Sequence, residues 1–119
     1  MSHHHFDSLA DWSTKSDAEL SRLFNRKAAL ELERIVQDLD ENASRVNITK
    51  QTFTPLVRRM RVLYEEGSKS LSHAILEAGD LRDAGRPDEA RQVLSLFASR
   101  CPSPFYRVIA QSYANRASD

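Results

Sequence analysis

The stretch TPLVRRMRVLYEEGSKSLSHAILEAGDLRDAG, residues 54–85, decides the fold. Its apolar and small residues fall at Leu56, Met60, Leu63, Gly67, Leu71, Ala74, Ala78 and Leu81. Steps of three and four place all of them on one face of a continuous helix. Thr54 is a candidate N-cap, and Pro55 suits the first helical position, whose N–H has no intrahelical acceptor. Gly85 suits the position just past the end, where a left-handed residue costs least. The spacing therefore predicts one helix over Pro55–Ala84. Its seam is large at both ends and small in the middle, at Gly67, Ala74 and Ala78, which lets another backbone come close.

Working towards the N-terminus, Ala43 to Phe53 reads as a connection, with Val46, Ile48 and Phe53 turned inward. Before it, Ser16 and Glu19 match a capping box. The helix they start should run to about Asp40, with a wide stripe made by Leu20, Leu23, Phe24, Ala28, Leu30, Leu32, Ile35, Val36 and Leu39. That stripe drifts around the axis, as expected for a break near Asn25 or for burial against two partners. Phe6, Leu9 and Trp12 can form a short amphipathic turn that docks residues 1–15 on the remainder, with residues 16–119 as a single helical domain. His3, His4 and His5 read as a tail rather than a metal site, which needs a fixed fourth ligand.

Towards the C-terminus, Pro87 opens a helix whose stripe is Ala90, Val93, Leu94, Phe97 and Cys101. Ser103-Pro104 caps a last helix. Phe105, Val108, Ile109, Ser112 and Tyr113 line one of its faces, and Tyr106, Ala110 and Tyr113 line another. The fold class expected is all-α: a bundle of four to five helices built on the long one.

Composition bounds the function. The chain has 119 residues, of which 40% are hydrophobic and 29% charged, as in a folded globular domain. A chain of that length can bury roughly two thirds of its unfolded surface. Its 17 basic and 17 acidic residues cancel. That counts against non-specific nucleic-acid binding, which needs a basic excess. Cys101 is the only cysteine, so no internal disulfide can form. No apolar run approaches the ~18 residues of a membrane span, and no apolar leader is visible. The expectation is a cytoplasmic protein with no membrane segment.

No enzyme constellation stands out: there is no phosphate-binding glycine loop, no HExxH and no CxxC. Asp38 to Asn42 looks briefly like a calcium loop, but Ala43 stands where the sharp turn needs Gly and Thr49 where the bidentate Glu belongs. His73 reads as a helix-surface or packed histidine. A His73–Cys101 dyad is disfavoured, because an apolar stripe raises a thiol's pKa. No catalytic residue, metal site or cofactor is assigned.

Two resemblances add to this reading. Ala78, Leu81, Gly85, Ala90, Leu94 and Pro102 fall at the spacing of one tetratricopeptide-type helical hairpin spanning Ala74–Pro102. Arg58-Arg-Met-Arg61, Glu66-Gly-Ser68, Leu81-Arg-Asp-Ala-Gly85, Asp88-Glu-Ala-Arg91 and Pro104-Phe-Tyr-Arg107 with Ile109-Ala110 resemble the DUSAM family. These are small domains of myxobacteria with no established activity. The likeness covers Thr54–Tyr113 and implies a bacterial, cytoplasmic protein, with no functional residue to carry over.

The function expected is a non-enzymatic protein–protein interaction module, such as a small regulator, inhibitor or immunity-type protein. Leu96, Tyr106 and Tyr113 would form its partner face, and Arg58 and Arg61 are further candidate partner-binding residues. One alternative is a nucleic-acid-associated regulator using Arg58, Arg59 and Arg61, with Arg22, Arg26 and Lys27 as further basic residues. The other is a self-associating structural protein, which would make a homodimer.

Overall fold

The computed structural model describes residues 4–43 and 47–117. Among them stand six α-helices and no strand: α1 (His4–Ser13), α2 (Asp17–Leu23), α3 (Arg26–Leu39), α4 (Lys50–Asp83), α5 (Pro87–Arg100) and α6 (Pro104–Ala117). The all-α class holds, and the long helix is unbroken over 34 residues. Val46 and His3 lie outside the described residues, so the readings made of them go no further.

Helix α4 begins at Lys50, five residues before the expected start. Thr49 N–H donates to Thr52 Oγ1 (2.8 Å) and Thr52 N–H donates back to Thr49 Oγ1 (3.3 Å). This is a capping box with threonine in the place of the usual Glu or Gln. Pro55 therefore sits inside the helix. Its missing N–H would have bonded the Gln51 carbonyl, and both residues are exposed, so water can reach that oxygen. Thr54 caps nothing: its Oγ1 is buried without a hydrogen-bond partner.

Contacts divide the chain into two units, Met1–Tyr64 and Glu65–Asp119. The division falls within α4 and not between residues 15 and 16, because α1 is packed into the first unit. In that unit Phe6, Leu9 and Trp12 of α1 are buried, with Leu20 of α2, Leu32, Ile35, Val36 and Leu39 of α3, and Phe53, Val57 and Met60 of α4. Phe53 is the hub. Trp12 meets its ring edge-on at 5.4 Å between centroids and Phe24 does so at 5.5 Å. Each such pair adds about 0.5–1.5 kcal/mol beyond the area buried. The single helix expected from Ser16 to about Asp40 is two helices, and of the two alternatives left open for its drifting stripe, a break near Asn25 is the one found. Phe24 is extended, and Asn25 Oδ1 accepts the Ala28 N–H at 2.7 Å to start α3. The capping box at Ser16 is also present, and the Ser16 N–H donated to Glu19 lowers that carboxyl's pKa.

The second unit is built on small residues. Ala74 and Ala78 of α4, Ala90 and Leu94 of α5 and Ala114 of α6 form its buried cluster, flanked by Ile75, Leu81, Val93 and Phe97. Alanine at the contacts lets helices approach closely while still burying apolar surface. The turn after α4 is a Schellman motif: Arg86 N–H donates to the Leu81 carbonyl (2.8 Å) and Gly85 N–H to the Arg82 carbonyl (3.0 Å). Gly85 has φ +78°, in the left-handed region where a side chain is strained. Ser103 is buried, and its Oγ accepts the Tyr106 N–H at 3.3 Å, capping α6 as expected.

Candidate functional site

The arginines expected at a partner surface are held by the first unit itself. Arg58 reaches from α4 to the end of α1: Nη2 donates to the Lys15 carbonyl (2.6 Å) and to Asp17 Oδ1 (3.0 Å), and Nη1 to the Ser13 carbonyl (3.5 Å). A cation at a helix C-terminus satisfies carbonyls that the helix leaves open and interacts favourably with the negative end of its dipole. Arg58 is thus a strap between helices, not a free contact. Arg59 pairs with Asp40 at 3.6 Å. Arg61 is half-buried, with its guanidinium 6.0 Å from the Tyr64 ring centre. The three do not form an open basic patch.

In the second unit the expected partner face separates into unlike positions. Tyr106 is buried, only 3% exposed, so it is core and not a surface offered to a partner. Its ring lies against Gly67, where an added Cβ would run into Tyr106 Cε2 and Cδ2. Leu96 is 50% exposed and Val108 is 71% exposed. Each stands two residues beyond a buried neighbour, Leu94 or Tyr106. That is about 200° around the helix, on its outer side. Leu76 bears the same relation to Ala74 and is likewise exposed. These side chains point away from the cores of three different helices, so helical geometry gives them no shared face.

Tyr113 is the exception. It is 37% exposed, and it lines an open groove of about 210 Å³ with Ile75, Ala78, Gly79, Arg82 and Leu94. Buried Ala78 and Leu94 make the floor. Half-buried Ile75 and the Tyr113 ring make the walls, with exposed Gly79 and Arg82 at the mouth. Arg116 lies with its guanidinium 4.8 Å from the Tyr113 ring centre and donates to Ser112 Oγ at 3.1 Å. The sequence reading missed Ile75, Gly79 and Arg82. All three sit beside the α4 seam rather than on it, and only a third helix at the right distance turns such a flank into a wall.

His73 is exposed, and Cys101, half-buried, is 3.9 Å through Sγ from the Ser103 carbonyl. No thiol–imidazole pair is formed. Among the described residues no group of three or more His, Cys, Asp or Glu side chains could hold a metal ion. No described helix is long and apolar enough to cross a membrane. No family model, curated protein or solved structure matches the chain.

Proposed function

We propose that this chain is a non-enzymatic helical module that binds a partner protein through its C-terminal unit, with the regulator, inhibitor or immunity-type roles as the class it belongs to. The observation that carries this reading is the groove of Ile75, Ala78, Gly79, Leu94 and Tyr113, an apolar concavity drawn from three helices. Its volume of about 210 Å³ is below the roughly 300–1,000 Å³ of pockets that enclose a small molecule, but suits an anchoring side chain or two. Helical scaffolds recognise amphipathic segments by seating such anchors in a groove. The resemblance to the DUSAM family supports a bacterial, cytoplasmic setting and adds nothing on activity. The nucleic-acid alternative has less support, because Arg58 and Arg59 are already engaged by protein groups.

Gly79→Leu tests the reading. A Cβ at Gly79 meets nothing within 4 Å, so a side chain can start there, and leucine is expected to fill part of the groove that Gly79 lines. The expected result is a native-lysate protein retained by the wild type and lost by the variant, with both sedimenting as monomers at micromolar concentration. A wild type whose sole partner is itself supports the self-associating alternative instead. Equal capture by both proteins places any interaction elsewhere.

A further inference from the structure

We infer that the groove's partner is an acidic protein segment: an apolar anchor with a carboxylate within about one helical turn of it. The inference rests on the interaction reading above and names the chemistry of its ligand. Among the described residues Arg82 is the single charged residue lining the groove, and no carboxylate lines it. The guanidinium of Arg82 is exposed and has no hydrogen-bond or ion-pair partner among the described residues. Its neighbours after the turn are paired, Arg86 with Glu89 and Arg91 with Asp88. A second guanidinium, that of Arg116, lies over the Tyr113 wall. An apolar groove with an unpaired guanidinium in its lining is complementary to an anchor flanked by negative charge and repels one flanked by lysines. Planar guanidinium also meets carboxylate through two parallel hydrogen bonds, which fixes orientation as well as sign.

The contact is solvated, so its effect is modest and weakens with salt. Arg82→Ala should weaken binding about threefold, and Arg82→Glu about tenfold, since reversal adds repulsion to the lost attraction. The experiment selects a random-peptide display library on the full chain and measures the winners against Arg82→Glu and Gly79→Leu. The expected pool carries Asp or Glu beside an apolar residue, is lost by Gly79→Leu, and binds Arg82→Glu about tenfold more weakly. A pool lost by Gly79→Leu yet neutral or basic, or indifferent to Arg82→Glu, overturns the acidic partner and leaves the groove. Winners that bind Gly79→Leu as well as wild type, or no enrichment at all, overturn both.

Discussion

Two glycines twelve residues apart on α4 occupy opposite kinds of space. Gly67 is pressed by a ring: a Cβ there would stand 2.7 Å from Tyr106 Cδ2 and closer still to Cε2. Gly79 faces open space, with nothing within 4 Å of the same added atom. One absence of a side chain lets α6 seat its tyrosine. The other leaves a concavity unfilled. Nothing in the residue type separates them, since both are mid-helix glycines that cost about 0.5–1 kcal/mol of helix stability relative to alanine. Gly67 is offset by the packing of Tyr106. Gly79 has no such return within the fold, which is why the groove it opens is the feature most in need of an explanation outside it.

The largest effect expected is at the ring. Tyr106→Ala should destabilise by about 3 kcal/mol or more, through lost burial and the cavity left against Gly67. Chemical denaturation measures it, and a near-neutral result would mean the ring does not fill that space. Next comes Gly67→Ala. Overpacking costs about 1–3 kcal/mol, partly offset by up to about 1 kcal/mol of helix propensity, so a net loss of about 1–2 kcal/mol is expected. The same change in a Tyr106→Leu background should become neutral or stabilising. A double-mutant cycle reads that coupling directly, and additive effects would dissociate the glycine from the ring.

Gly79→Ala goes the other way. It should stabilise by about 0.5–1 kcal/mol, because propensity acts alone where there is room. A thermal melt showing a loss instead would mean the groove mouth is already filled. The smallest effect belongs to the outer faces: Leu96→Asp should shift stability by no more than about 0.5 kcal/mol. A large loss there would show that Leu96 packs against something and that its half-exposure misleads.

Much of the fold was legible because its signals are local. The Ser16–Glu19 box, the break at Asn25, Gly85 and Pro87 at the turn and Ser103 before Pro104 all act within a few residues of themselves. The start of α4 was less legible. Pro55 is a familiar first-turn residue, and it masked the Thr49–Thr52 box, in which threonine replaces the usual acid. Of the five residues expected at a partner face, Tyr113 alone lines the groove. Tyr106 and Tyr113 look alike in sequence, and α6 is amphipathic by either assignment. Seven residues put them about 20° apart on the helix, so the choice of which ring is buried belongs to the neighbouring helices. Val57, Ala98 and Ala114 are buried too, although none was on an expected stripe. Alanine is small enough to read as either surface or core.

By itself the sequence determined the all-α class, the glycine turn at Gly85 and the one long rod over Pro55–Ala84. These follow from backbone hydrogen bonding and side-chain periodicity, both short-range. Only the tertiary structure decided which tyrosine packs on Gly67, that Arg58 closes the end of α1, and that Gly79 opens a groove. Each depends on a distance between residues far apart in the chain, and periodicity carries no information about such distances.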